Sequence, residues 1–237
     1  MKKFSNACAL LLAAAAFNVI PAATAATIYD NSVNDLLTRF SPGTAKVGDE
    51  IQLAGTERYL TQFDFEYWGT NTANPFGFAG GVQAQVKFYL NDGALVNGYA
   101  SPGTVIYDSG LFGGFGTTPR STLVFTAGSD FSSSGLYIPT SSLTWSVQFF
   151  GMGATDSVGV DIYNPPVAGT SIPNAGLQDF WQDSGGGWQL LTNAVPMNFG
   201  ARFFASADPV PEPSALPLTA FGSCLAWVVA RRARAKK

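Results

Sequence analysis

The stretch that decides the fold is RYLTQFDFEYW, which runs from Arg58 to Trp68. Its side chains alternate in character along the chain. One set is aromatic or β-branched and comprises Tyr59, Thr61, Phe63, Phe65 and Tyr67. The set between them is polar and comprises Gln62, Asp64 and Glu66. Because successive side chains of a strand point to opposite faces of a sheet, this alternation predicts a long strand with one face in the core.

The same alternation recurs on both sides of this strand. It is clearest in Val82–Leu90, Leu143–Phe150 and 158–162. Shorter strand candidates are Thr27–Tyr29, Leu36–Phe40, Glu50–Leu53, Thr104–Asp108, Ser121–Thr126, Trp188–Thr192 and Phe199–Ala205. Loops rich in Gly, Pro and Asn separate them at 71–81 and 110–116, and residues 167–187 are predicted to be irregular. About ten or eleven strands with one apolar face predict an all-β fold with two packed antiparallel sheets, a jelly-roll-like β-sandwich.

The N-terminus has the three parts of an export signal. Lys2 and Lys3 precede an apolar run, Ala7–Ile20, and Ala23 and Ala25 form a small-x-small cleavage site. We therefore interpret residues 1–25 as a signal peptide, which signal peptidase removes during secretion.

The C-terminus also has three parts, within VPEPSALPLTAFGSCLAWVVARRARAKK at 210–237. A Pro211-Glu212-Pro213 step comes first, and an apolar run, 215–230, follows it. At about 1.5 Å per residue a helical run of this length spans roughly 24 Å, somewhat less than a bilayer core of about 30 Å, and flanking groups can make up the difference. We predict a single transmembrane helix at about 214–230.

The basic tail, 231–237, fixes the orientation of this helix. It contains Arg231, Arg232 and Arg234, which resist translocation and keep the end of the chain in the cytoplasm. Residues 26–209 then form one domain outside the cytoplasm, and the first location of the protein is the inner membrane.

The C-terminal stretch resembles the PEP-CTERM sorting signal of Gram-negative bacteria, the tag of exosortase substrates. The resemblance rests on Pro211, Glu212 and Pro213, on the apolar helix and on the Arg-rich end, and it covers 210–237 only. It implies that exosortase, a membrane peptidase, recognises the Pro-Glu-Pro step and cleaves near the anchor. The protein would then be delivered to the cell surface or to the extracellular matrix of a biofilm.

Three other kinds of C-terminal segment share some of these features. Leu216–Ala220 mimics a Gram-positive cell-wall sorting motif, but it lies inside the apolar run and leaves only ten residues, Phe221–Ala230, to cross the membrane. A GPI signal normally ends without a basic cluster. A membrane anchor that is never cut is the alternative that stays open.

Composition excludes several kinds of chemistry. Cys8 lies in the signal peptide and Cys224 in the anchor, and the whole chain lacks histidine. Residues 26–209 therefore contain no disulfide, no Cys/His zinc site and no catalytic Cys or His. This block has six basic and fifteen acidic residues, a formal net charge of −9. Such a surface argues against nucleic acid and anionic lipid as partners.

Two sets of carboxylates are candidates for chemistry. Asp64 and Glu66 share one face of a strand and can serve a glycoside hydrolase that uses carboxylates alone, although a solvated strand face gives the same pattern. The second set offers oxygen ligands for Ca²⁺ and comprises Asp156, Asp161, Asp179 and Asp183. Their spacing matches no known calcium loop, and loop aspartates also accept backbone hydrogen bonds.

Aromatic residues in or beside the loops are candidates for stacking on sugar rings. They are Trp68, Phe76, Phe78, Phe112, Phe115, Trp181 and Trp188. Aromatic side chains also fill the core of such sandwiches. The sequence thus predicts an exported, non-enzymatic protein without a cofactor, which is structural or interacts with extracellular polysaccharide. The alternatives are a carbohydrate-binding module and the carboxylate-only glycoside hydrolase.

Overall fold

The computed structural model describes residues 25–171, 179–192 and 198–210. These ranges contain sixteen β-strands: β1 Ala26–Asp30, β2 Asp35–Phe40, β3 Lys46–Gln52, β4 Tyr59–Asn71, β5 Gln83–Tyr89, β6 Leu95–Val96, β7 Tyr99–Ala100, β8 Val105–Asp108, β9 Thr118–Thr126, β10 Leu136–Tyr137, β11 Ser142–Phe150, β12 Asp156–Tyr163, β13 Thr170–Ser171, β14 Asp179–Asp183, β15 Trp188–Thr192 and β16 Ala201–Ser206. Within them there is no helix long and apolar enough to cross a membrane.

The strands form two large antiparallel sheets. Sheet A has the order β1-β16-β4-β12-β2, and β9 and β10 also pair with β4. Sheet B has the order β15-β14-β3-β11-β5-β8, and β13 also pairs with β3. The short strands β6 and β7 pair only with each other in the described part of the chain. The sheets are arranged as in a sandwich, so the predicted all-β antiparallel fold is confirmed.

Strand β4 is the centre of sheet A, as its length suggests. It pairs with β9 along one edge and with β16 and then β12 along the other. Phe63, Phe65 and Tyr67 are at most 5% exposed, which confirms the predicted apolar face. The alternation shifts near the start of the strand, where a bulge opposite β16 buries Leu60 and leaves Thr61 half-buried.

The core between the sheets is dominated by aromatic rings. Phe63 of sheet A lies 5.0 Å from Phe88 and 5.3 Å from Trp145 of sheet B, measured between ring centroids. All three side chains are fully buried. Tilted and edge-on ring contacts of this kind are the favoured geometries for aromatic pairs, so the two sheets interlock through these side chains.

The prediction that residues 167–187 are irregular is wrong. The described part of this segment contains β13 and β14, and β14 pairs with β3 in sheet B. Trp181 of β14 is only 1% exposed and donates from Nε1 to Glu50 Oε2 at 3.1 Å. A short strand beside glycine-rich turns carries too little periodicity to be recognised, and it is the pairing with β3 that stabilises it.

Candidate functional site

The predicted processing residues fall mostly outside the described ranges. Residues 1–24, which include Ala23, and residues 211–237, which include Pro211, Glu212, Pro213, Arg231, Arg232 and Arg234, are not among the described residues. Ala25 is exposed and directly precedes β1. At the other end Val210 lies four residues after the last residue of β16, and its N–H donates to Ser134 O at 3.1 Å. The hydrogen-bonded structure therefore continues to the residue before the Pro-Glu-Pro step.

The carboxylates of Asp64 and Glu66 are both engaged. Asp64 is 1% exposed, and its Oδ2 lies 2.7 Å from Arg202 Nη2. Glu66 accepts the hydroxyl of Tyr163, and its Oε2 lies 3.4 Å from Arg120 Nε. A solvated strand face is thus the wrong description of Asp64. Both groups have fixed cationic partners, where a glycosidase would leave room for a sugar.

These pairs belong to a larger arrangement on the side of sheet A that faces away from the core. Each of three arginines lies between a carboxylate and an aromatic ring, with its guanidinium carbon 5.3–5.8 Å from the ring centroid. The three sets are Arg39 with Asp161 and Trp68, Arg120 with Asp35 and Tyr163, and Arg202 with Asp64 and Phe204. We call these nine residues the arginine layer. Its side chains restrain one another, because each cation has both an ionic and a ring contact.

Asp161, like Asp64, is an almost fully buried carboxylate of the arginine layer. Its side chain is 1% exposed, its Oδ1 lies 3.6 Å from Arg39 Nε, and its Oδ2 lies 3.8 Å from Arg120 Nε. Burial raises the pKa of Asp161 to about 6, although both arginines act in the opposite direction.

The raised pKa of Asp161 predicts a pH dependence of stability. The folded protein holds the proton up to about pH 6, whereas an unfolded aspartate loses it near pH 4, so the free energy of unfolding falls as pH rises between these values. We expect Asp161→Asn to remove about 1–3 kcal/mol of this decline. Thermal unfolding of both proteins between pH 4 and 7 measures this pH dependence. The control is Asp208→Asn at an exposed carboxylate, and parallel curves for the wild type and Asp161→Asn would contradict the assignment.

The four aspartates that were candidate Ca²⁺ ligands lie in different sheets. Asp156 and Asp161 belong to β12 of sheet A, whereas Asp179 and Asp183 belong to β14 of sheet B. Asp183 accepts two loop N–H groups and lies 3.2 Å from Lys46 Nζ. The side chain of Asp179 is outside the described atoms. No three acidic residues in the described ranges form a group that can hold a metal ion.

The Asp156 side chain links two loops through hydrogen bonds. Its oxygens accept the N–H groups of Ala79, Gly80 and Gly153 at 2.7–2.8 Å and the side-chain amide of Asn71 at 2.9 Å. Desolvation acts to raise the pKa of Asp156, but these hydrogen bonds outweigh it and the pKa is lowered. Asp156 is therefore a loop aspartate that accepts backbone hydrogen bonds, which is the alternative to calcium binding.

The seven aromatic candidates for sugar stacking differ widely in exposure. Trp68 and Trp181 are buried, and three more pack against the core while partly exposed: Phe78, Phe112 and Phe115. Trp188 is half-buried with Lys46 Nζ 4.7 Å from its ring. Phe76 alone of the seven is largely exposed, at 94%.

A groove opens where the two sheets meet at their edges, between β8 of sheet B and β9 of sheet A. Its volume is about 290 Å³, and we call it the edge groove. It is lined by Tyr107, Asp108, Ser109, Phe112, Leu123, Val124, Phe125, Ser129 and Asp130. Burial, together with the charges of Asp130 and then Asp108, raises the pKa of Tyr107 to about 12. The groove thus combines a protonated phenol and two carboxylates with an apolar wall.

The edge groove itself was not predicted from the sequence, although Phe112, which lines it, was a candidate for sugar stacking. The two strands that flank the groove were predicted. Nothing in their sequences indicates that β8 is the edge strand of sheet B, or that β9 pairs only with β4 among the described strands. The exposed Ser129 and Asp130 have the composition of an ordinary turn.

Comparisons with known proteins add no assignment: no family model, no curated protein and no solved structure matches this chain. The fold therefore defines only the described part of the chain, as an all-β structure with two large antiparallel sheets.

Proposed function

We propose that the protein is exported, sorted by an exosortase and delivered to the cell surface or the extracellular matrix. The observation that carries this proposal is the order of Pro211-Glu212-Pro213, an apolar run and a basic tail at 210–237, opposite a signal peptide at 1–25. Val210, the last described residue, still donates a backbone hydrogen bond to Ser134. The Pro-Glu-Pro step therefore follows directly on the hydrogen-bonded structure.

Outside the membrane we propose a structural role, with extracellular polysaccharide as a partner and without catalysis. The domain is jelly-roll-like in this proposal. The ion pairs of Asp64 and Glu66 favour a structural use of these carboxylates over a glycosidase. The edge groove supports the second candidate function, a carbohydrate-binding module.

The sorting proposal is tested by replacing Glu212 in the native host. Glu212 is the charged group between two rigid prolines, so Glu212→Ala removes the group that we assign to recognition. We expect the wild-type protein to be found outside the cell with a shortened C-terminus by mass spectrometry, and Glu212→Ala to stay uncut in the inner membrane.

Asp208→Ala is the matched control, since it removes an exposed acidic side chain just before the motif. It should be processed as the wild type is. Release of Glu212→Ala at the wild-type level would refute recognition of this residue. If the wild-type protein keeps its full C-terminus and stays in the membrane, the C-terminal segment is a permanent anchor and not a sorting signal.

A further inference from the structure

We propose that the edge groove binds one ring of a neutral polysaccharide. The choice of a polysaccharide as the ligand rests on the proposed function. The choice of the site rests on the geometry of the groove. At about 290 Å³ the groove lies near the lower end of the range of roughly 300–1,000 Å³ for ligand sites, so it holds a single ring of a longer chain. Because the groove lies between two sheet edges and opens to solvent, the rest of the polymer stays in the solvent.

The apolar side of the groove is rigid. The Tyr107 ring lies 5.0 Å from Phe88 and 4.9 Å from Phe131 between centroids, and Phe112 lies 5.3 Å from Phe125. These rings are held by the core, so they lose little conformational freedom when a ligand binds. A wall of this kind suits the C–H face of a pyranose ring, which is apolar, while the hydroxyls of the sugar point along its rim.

The polar side offers acceptors that are fixed in place. Asp130 Oδ2 accepts the N–H of Thr126 at 2.8 Å, and Asp130 N donates to Thr126 O at 2.9 Å, so the turn holds the carboxylate at the groove. Asp108 accepts Gly110 N at 2.8 Å and Gln85 Nε2 at 2.7 Å and pairs with Lys87 at 2.9 Å, so both of its oxygens have protein partners and Asp130 is the main acceptor for a sugar. Sugar hydroxyls donate well to fixed carboxylates, because hydrogen bonds to charged groups are the stronger ones.

Charge restricts the class of polysaccharide. The groove has two carboxylates, of which Asp108 is paired with Lys87, and it lies on a block with a formal net charge of −9. An acidic polymer such as a uronate is repelled by this field at low salt. A neutral polymer carries donors for the carboxylates without that repulsion.

The test is affinity electrophoresis of the full-length chain in detergent, in gels that contain dextran, laminarin or galactomannan as neutral probes and alginate as the acidic one. We expect at least one neutral polymer to retard the wild type and alginate not to. Asp130→Asn removes the charge of the acceptor, and Tyr107→Phe removes the hydroxyl while it keeps the ring. Asp130→Asn should weaken binding about tenfold or more, since a hydrogen bond to a charged group contributes about 1.5–3 kcal/mol. Tyr107→Phe should weaken it about two- to tenfold, since a hydrogen bond between neutral groups contributes about 0.5–1.5 kcal/mol.

Asp92→Asn is the matched control. Asp92 also accepts a backbone N–H, from Thr104 at 2.6 Å, but it does not line the groove. It should bind as the wild type does. No retardation by any neutral polymer, retardation by alginate alone, or equal retardation of Asp130→Asn and the wild type would each overturn the proposal.

This outcome is separable from that of the sorting experiment. Binding is measured on purified chain, so it does not depend on cleavage at the Pro-Glu-Pro step. If Glu212→Ala blocks release but no neutral polymer binds, the groove assignment alone fails. If the groove binds a polymer while the wild type is never cut, the sorting assignment alone fails.

Discussion

Phe63→Ala is expected to lower the free energy of unfolding by about 3–5 kcal/mol, the range for removing a buried aromatic side chain. Phe63 is fully buried, and five rings lie within 6.0 Å of it: Phe65, Phe88, Phe125, Trp145 and Phe203. These neighbours come from both sheets, so the cavity cannot close without moving one sheet against the other. Domains of this size are stable by about 5–15 kcal/mol, and the loss is a large part of that.

Phe76→Ala is the matched control for this prediction. The substitution is the same, but Phe76 is 94% exposed and loses little contact, so we expect a change within about 0.5 kcal/mol. Urea unfolding of the purified variants, followed by tryptophan fluorescence, measures both. If Phe63→Ala costs no more than Phe76→Ala, the two sheets do not pack around Phe63 as described.

Strand positions were predictable because a strand that covers a core has a period of two. Val82–Leu90 was predicted from alternation, and β5 at Gln83–Tyr89 confirms it, with Ala84, Val86 and Phe88 fully buried. The prediction for the segment around Trp181 was wrong because this segment shows too little alternation. β14 has only five residues, and its burial depends on β3, which is distant in sequence.

The polar face of β4 shows a second limit of sequence reasoning. A pattern of alternating apolar and polar residues cannot distinguish an exposed carboxylate from one that is buried in an ion pair. Asp64 is buried because Arg202 comes from β16, and Glu66 is paired because Arg120 comes from β9. Only the sheet order brings these strands to the two edges of β4.

The arginine layer and the edge groove differ in what they leave available to a ligand. In the arginine layer every guanidinium has a carboxylate and a ring beside it, so recognition there would have to break ion pairs first. In the edge groove the Tyr107 ring is anchored by the core while its site stays open to solvent. We therefore expect ligands to bind in the edge groove. The arginine layer, on the outer face of sheet A, is expected to stabilise the fold.

Gly159→Ala is expected to destabilise the protein by about 3 kcal/mol, at the upper end of the cost of overpacking. A Cβ atom at Gly159 of β12 would lie 1.9 Å from Phe40 O and 3.0 Å from Ser41 Cα. These are backbone atoms at the end of β2, which pairs with β12 at Val160, so no side chain can rotate to make room. Strand β2 must shift instead, and it carries Arg39 of the arginine layer.

Gly186→Ala tests whether the effect comes from this contact. A Cβ atom at Gly186 meets nothing within 4 Å, so the same substitution there should change the free energy of unfolding by no more than about 0.5 kcal/mol. Because Arg39 lies 3.6 Å from Asp161, a shift of β2 in Gly159→Ala should also change the pH dependence that Asp161 gives to the wild type. A stable Gly159→Ala protein with an unchanged pH profile would mean that β2 does not pass this close to β12.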